Sequence, residues 1–463
     1  MPTQPRFGLL GLMLELYDRA VPDLKPQQEA FARELVSTLE GLGEVIWEGI
    51  AVTREEVDAR LAAMQAQGAD LVVVVHFSYA PSLIALPGLL RTPLPIVLFN
   101  TQQLAAVDEN FGYEGMLRNH GVHGQQDLAN VLRRAGRAFG GVTGYYADPA
   151  ALRELEDWVR AASAVRRLRQ AEVGRVGWAF QDMGDFGLDE AAFLSVVGPH
   201  VRQVPLDLLA EGLALAPDAE VAALVAEYRS QYAVAPDLSA AELAASARSE
   251  WALRRAVRLL KLDALSIHYE VLGQDPRFDA LPFAAAARLI GEGLGFGGEG
   301  DATSAAAVLL MHYLCGCATF SEVFTMDLTG GTLFMSHFAE GNPLLAKHDQ
   351  PVQMVRREGW VGSGGVSASL AFTLEPGPVT MVNLTVGPGG RFQLLATRGT
   401  AEAFLVPGQP TPHFKLRPER PVAEFSNEYM LHGGSHHVAV APGDQLSRVE
   451  KCARLLGVEY CVL

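Results

Sequence analysis

Apolar positions in the first third of the chain come in two alternating textures. Runs such as ADLVVVVHFS at 69–78 and PLPIVLFN at 93–100 have no polar face, as strands buried on both sides of a parallel sheet require. Between such runs the spacing turns helical. Gln27 to Leu42 predicts a helix followed by a short strand near Glu44 to Trp47, and Thr53 with Glu56 three residues on is a capping box that opens another helix. The alternation predicts βαβ units around a parallel sheet. Both apolar runs end in polar residues, His76 and Ser78 in one, Asn100, Thr101 and Gln102 in the other. Open α/β sheets place ligands at those carboxyl ends.

The stretch ADPAALRELEDWVRAASAVRRLRQAEVG at 147–174 predicts a surface helix leading into a second α/β unit. That unit opens with a strand over RVGWAF, has helices around Asp218 to Tyr232 and Ala240 to Leu260, and continues with the strand LDALSIHY and the helix FAAAARLIGEG. After Cys317 the texture changes: GVSASLAFTL, VTMVNLTV and RFQLLATR alternate and are separated by EPGP and GPGG turns, which predicts antiparallel β in a small barrel or sandwich. Domains are expected at 1–150, 151–315 and 316–463. No internal repeat or low-complexity tract is visible.

A chain of 463 residues exceeds one hydrophobic core, in keeping with that division. A net charge of −16 without any basic run argues against nucleic acid, whose binders need clustered Lys and Arg. Four cysteines, with Cys315 and Cys317 too close to close a useful loop, give no disulfide framework, so the cytoplasm is expected. The amino terminus lacks the features of a signal peptide, and the longest apolar runs fall far short of a membrane span.

Three segments carry candidate chemistry. GLGFGGEGDATSAA at 293–306 is glycine-rich, yet Glu299 and Asp301 sit where a bound phosphate would lie and no P-loop Lys follows, so a cation or a polyol suits it better than a nucleotide. Capping the next helix would explain Asp301 but not Glu299. Glu322, His337 and Glu340 flank a Gly-Gly turn, and a hairpin there would bring carboxylate and imidazole together; a lone core histidine is the plainer alternative. In LHGGSHHVAV, His436 and His437 would point to opposite faces of a strand, leaving one for a metal. Two carboxylates and one or two imidazoles favour Mn²⁺, with Co²⁺ or Mg²⁺ possible, over a thiolate-rich zinc site.

These segments resemble the L-arabinose isomerase family. GFGGEGD matches that family's glutamate loop, Phe320 and Glu322 resemble its F-x-E-D segment, SHFAE resembles G-[AS]-H-M-L-E, and GGSHH resembles G-G-A-H-H-T. The resemblance implies Glu299, Glu322, His337 and His437 as metal ligands and Asp301, Phe320, Glu340 and His436 as supporting active-site residues. LFNTQ and LVVVVHFS resemble further family strands. NHGVHGQQ resembles N-Q-T-A-H-G-G-R and makes His123 a substrate contact; Tyr269 and the stretch from Phe180 to Met183 align with pocket-lining segments. Two Rossmann-like α/β domains followed by an antiparallel β-barrel are implied, in a homo-oligomer, hexameric or trimer-based, with active sites between subunits. Two departures bear on the sugar: Leu14 replaces a glutamine, and Val323 replaces the Asp after the ligand glutamate.

The implied reaction interconverts an aldose and a ketose through an enediol, with the metal as Lewis acid and Glu299 and Glu322 as ligands and base or acid. Alternatives are a fucose-type or other pentose or hexose isomerase, an epimerase, or a non-catalytic sugar-binding relic of the fold.

Overall fold

A computed structural model describes residues 4–109, 111–358 and 365–463; the first three residues of the amino-terminal reading lie outside it. The chain forms two compact units, one ending at Arg166 and one running from Arg167 to Leu463.

The first unit holds strands β1 (Arg6–Leu12), β2 (Glu44–Ile46), β3 (Ile50–Ala51), β4 (Leu71–His76), β5 (Ile96–Asn100) and β6 (Gly140–Thr143). They pair in parallel in the order β2-β1-β4-β5-β6, with β3 also on β1. This is a doubly wound order whose switch point lies between β1 and β4. Every residue of β4 is buried, which is why its sequence shows no polar face. The helix Leu24–Leu39 turns Leu24, Phe31, Leu35 and Leu39 inward. Thr53 and Glu56 form the expected capping box on the helix Arg54–Ala66. The strand and helix pattern of this region thus follows the sequence closely.

The second unit begins with β7 (Glu172–Val176), β8 (His200–Val204), β9 (Ala233–Val234), β10 (Ala264–Ile267) and β11 (Gly295–Gly298). Four of them form a parallel sheet in the order β11-β10-β7-β8. The strand expected over RVGWAF ends earlier than its apolar residues suggest, because Gly177 takes φ +83° and turns the chain away. The helix Ala240–Leu260 has the expected limits and starts from a second capping box, Ser239 with Glu242.

The carboxyl-terminal region adds β12 (Thr319–Asp327), β13 (Thr332–Ser336), β14 (Gln353–Arg357), β15 (Ser367–Ala371), β16 (Gly377–Val386), β17 (Phe392–Glu402), β18 (His413–Pro418), β19 (His437–Pro442) and β20 (Glu459–Val462). Seven of these pair in the order β16-β19-β12-β13-β18-β17-β20, and β16 also pairs with β17. The sheet is mixed rather than purely antiparallel, because β20 runs parallel to β17 after the helix Leu446–Leu456. That helix and Val422–Leu431 break the expected all-β texture; Val422 and Phe425, three apart, bury one face of the latter. A separate small sheet pairs β14 with β15 and, in parallel, with β9. The chain is therefore mixed α/β, with parallel sheets first and a mixed sheet last.

Candidate active site

Three strands of the second parallel sheet deliver side chains at their carboxyl ends. Beyond β11, Glu299 takes φ +58°, a left-handed conformation that costs a non-glycine residue on the order of 1 kcal/mol or more and concentrates at functional sites. Neighbouring backbone fixes it there, since its N–H donates to the Ile267 carbonyl at 2.9 Å and its carbonyl accepts from Phe180 N–H at 2.8 Å. Asp301 caps the helix Ala302–Cys315 through Oδ1, which accepts from Ser304 N–H at 3.0 Å and from the Thr303 hydroxyl at 2.6 Å. Its Oδ2 lies 3.1 Å from His437 Nδ1, so one residue both caps a helix and orients an imidazole.

The mixed sheet supplies the opposite wall. Glu322 on β12 stands in register with His437 on β19 and with Ser336 on β13, and His337 follows Ser336 directly. The Gly-Gly hairpin thereby brings carboxylate and imidazole together. His337 Nδ1 lies 2.6 Å from Glu340 Oε2, which also accepts from Ala339 N–H at 2.9 Å. Phe320 meets both rings edge to face, with centroids 4.8 Å from His337 and 4.9 Å from His437. Gly298 makes room for this packing, because a Cβ there would stand 2.7 Å from His337 Cε1.

Carboxylate and imidazole atoms of Glu299, His337 and His437 lie within 4.8 Å of one another. Both Nε2 atoms are buried without a hydrogen-bond partner among the described residues. Each imidazole thus has Nδ1 held by a carboxylate and Nε2 presented bare, the arrangement in which histidine ligates metals. Glu322 stays outside the 4.8 Å group but lines the same cavity.

Burial disfavours charge throughout, and the pairing overrides it. It works against the His337 imidazolium, yet Glu340, Glu322 and Glu299 hold its pKa above the ordinary value. Glu340, buried beside that ring, is held down to about 2. Burial alone would raise Glu299 and Asp301, but the facing histidines hold both below the usual carboxylate range. His436 is carried up to about 10 against its burial by Asp185 and Glu299. Its Nδ1 lies 2.6 Å from Asp185 Oδ2 and its Nε2 lies 3.6 Å from Glu299 Oε2.

The expected opposition of His436 and His437 fails. Strand β19 begins only at His437, so the two rings are free of the strand's alternation and sit 4.2 Å apart with both Nε2 atoms near Glu299. A cavity of about 380 Å³ opens beside them, lined by Glu299, Glu322, His436, Met183 and Tyr269 among others. Asp301, Glu340 and Phe320 sit behind the imidazoles. His123 belongs to the first unit, stacked on Tyr79 at 4.7 Å. Asp185, His268 and Glu270 escaped the sequence reading. A lone acid between glycines in MGDFG and polar residues ending an apolar strand were the available signals.

Family comparisons agree with this geometry. Sequence models of the L-arabinose isomerase amino-terminal, central and carboxyl-terminal domains match residues 15–170, 189–316 and 317–459 in turn. The chain belongs to the L-arabinose isomerase family. It is a divergent member. The L-arabinose isomerase of Serratia proteamaculans is 24% identical over 462 residues, covering 96% of this chain and 91% of its own length. That of Mycolicibacterium smegmatis is 26% identical over 463 residues, covering 96% and 90%. The family's enzymes named in these matches are aldose–ketose isomerases, and among the described residues of this member no helix is long and apolar enough to cross a membrane.

Proposed function

We propose that this chain is a divalent-metal-dependent aldose–ketose isomerase that moves a proton between C1 and C2 of an unphosphorylated sugar through an enediol. One observation carries the reading: His337 and His437 each have Nδ1 against a carboxylate and a buried, partnerless Nε2 beside Glu299. Leaving a buried polar atom unpaired costs about 1–3 kcal/mol, so the pair is built for an occupant. Its surroundings are rich in carboxylates, with Glu299, Glu322, Asp301, Glu340 and Asp185 around three imidazoles, which fits a cation. Glu299, His337 and His437, joined by Glu322, would hold it; mixed oxygen and nitrogen donors favour Mn²⁺, with Co²⁺ or Mg²⁺ as substitutes.

When bound, such an ion acts as a Lewis acid toward the sugar oxygens at C1 and C2. Glu299 and Glu322 provide the carboxylates that take the proton from C2 and return it to C1, while the hydroxyl proton passes from O2 to O1, so that the C1 carbonyl becomes a hydroxyl and the C2 hydroxyl a carbonyl. His436, kept charged by Asp185 and Glu299, donates a hydrogen bond to a sugar oxygen. Asp301, Glu340 and Phe320 hold the imidazoles, and Met183 and Tyr269 line the sugar's path; the family resemblance implies His123 as a further substrate contact. Three glutamates line the cavity and no Lys or Arg is among its described lining residues, which disfavours sugar phosphates and sugar acids.

On this reading the parallel units are Rossmann-like, the closed succession of pairings from β16 back to β17 is a barrel, and the divisions near 150 and 315 separate domains. The protein is a cytoplasmic homo-oligomer, hexameric or trimer-based, with active sites at subunit interfaces. Leu14 and Val323 leave the sugar open between L-arabinose and another aldose, because a lost hydrogen-bond partner changes preference by orders of magnitude. A fucose-type isomerase or an epimerase keeps the same site.

The test is a panel of aldopentoses and aldohexoses, L-arabinose included, incubated with the Mn²⁺-loaded protein and assayed for ketose. Conversion of at least one aldose and retention of metal through gel filtration are expected. Sugar binding without ketose or epimer from any aldose would identify a non-catalytic relic, and failure to retain any divalent ion would remove the basis of the reading.

A further inference from the structure

The cavity beside Glu299 has a second polar corner that the proton transfer does not use. His268 and Glu270, just beyond the carboxyl end of β10, both line it. His268 is only 3% exposed, and its Nδ1 lies 3.1 Å from the carbonyl oxygen of Trp178. A carbonyl only accepts, so Nδ1 carries the hydrogen and Nε2 of the neutral ring is an acceptor. Nε2 has no hydrogen-bond partner among the described residues, although Glu270 Oε2 stands 3.5 Å away. In the Nδ1–H tautomer two acceptors stand side by side there, and a buried acceptor left bare is unfavourable.

Such a corner is completed by a ligand that brings O–H donors on neighbouring carbons. Phe180, whose ring centroid lies 4.8 Å from that of His268, and Leu281 and Phe283 give the same cavity apolar walls for the C–H face of a sugar. Since the oxygens at C1 and C2 are taken at the Glu299 end, the hydroxyls left for this corner are those further along the carbon chain.

We propose that His268 and Glu270 form a diol-binding pair that takes two neighbouring hydroxyls of the aldose beyond C2 and thereby selects which sugar is turned over. The inference rests on the isomerase reading. A site that hydrogen-bonds a hydroxyl discriminates against the analogue lacking it, because its own buried groups are then unpaired.

The test uses the full-length, Mn²⁺-loaded protein with His268→Asn, whose amide can still donate to the Trp178 carbonyl, and Glu270→Gln, which keeps shape and loses charge. Kinetics are measured with the best aldose and with its deoxy analogues at each position beyond C2. Binding of ribitol, xylitol and L-arabinitol is followed by tryptophan fluorescence, for which Trp178, with its ring 5.7 Å from His268, is a local reporter. Each substitution is expected to lower kcat/KM for the aldose by about 10- to 100-fold, mainly through KM, with a matching loss of polyol affinity and unchanged metal content. With one deoxy analogue the substitutions should cost little further. Equal losses for the aldose and every deoxy analogue, or loss of bound metal, would overturn the proposal in favour of a structural role. If the unsubstituted protein converts no aldose, the isomerase reading falls, and unchanged polyol affinity in both variants would still overturn the pair.

Discussion

Histidines gather at strand ends twice in this chain, and the two groups are built for opposite states. In the first unit His76 ends β4, and burial pushes its pKa down to about 4, outweighing Gln125 beside it and the charge of Asp127, neither of which holds Nδ1 as the acids of the second group do. Nearby, His123 stacks on Tyr79 with the planes 10° apart and meets His120 edge-on at 4.3 Å. In the second unit His337, His436 and His437 each have Nδ1 against a carboxylate, of Glu340, Asp185 and Asp301 respectively. A buried imidazole without an acid bonded to it is a neutral, mostly apolar ring. One whose Nδ1 is held by an acid has a fixed orientation and offers Nε2 to something else. Clustering of histidines therefore says little by itself, and the partner of the second nitrogen says most.

The sharpest way to break this contrast is to remove the acid at its centre. Glu299→Gln should reduce turnover by about 10³-fold or more, in line with the loss of a general base, while leaving the fold intact by circular dichroism. An active Glu299→Gln protein would sink the assignment. Next in size are the orienting acids. Glu340→Gln and Asp301→Asn should each weaken metal binding about 10- to 100-fold, read by competition with a chelator. His123→Asn, in the other group, should leave that affinity unchanged; a comparable loss there would erase the distinction between the groups.

Legibility in the sequence divides along the same line. Strands β4 and β5 were readable because burial on both faces writes a continuous apolar run, and the helix Ala240–Leu260 because its capping box and spacing agree. Beyond Cys317, attention to period-two alternation hid the helices Val422–Leu431 and Leu446–Leu456. At the site, Glu299, His337 and His437 stood out through motifs that resemble a family. Their geometry did not. His436 is oriented by Asp185, 251 residues away in sequence, and no local pattern encodes such a pairing. Likewise Gly298 reads as one more glycine of a rich loop until the His337 ring is seen against it.

Acid should separate the groups a third way. The folded pKa of His76 is depressed below the ordinary 6.5, so its contribution is full above about pH 6.5 and is lost progressively as the pH falls toward about 4, where the unfolded chain binds the proton first. Between pH 7 and pH 5 this amounts to about 2 kcal/mol. Urea midpoints measured at the two pH values should show the loss, and His76→Leu should reduce it. A slope unchanged by the substitution would mean that His76 is not the neutral ring described here.

The smallest effect concerns the scaffold that holds the first group rather than the group itself. Thr53 accepts from Glu56 N–H at 3.3 Å, and the Glu56 carboxylate accepts in return from Thr53 N–H at 3.4 Å and from Val52 N–H at 2.7 Å. Thr53→Ala removes only the hydroxyl half of this exchange, so the helix Arg54–Ala66 should lose about 1 kcal/mol. Val57, Leu61 and Met64 on that helix are buried, and Met64 packs against Gly8 of β1, so fraying at its start loosens the face that supports the parallel sheet. Equilibrium unfolding of Thr53→Ala should show the loss with metal affinity unchanged. A fall in metal affinity instead would mean that the capping hydroxyl does more than start this helix.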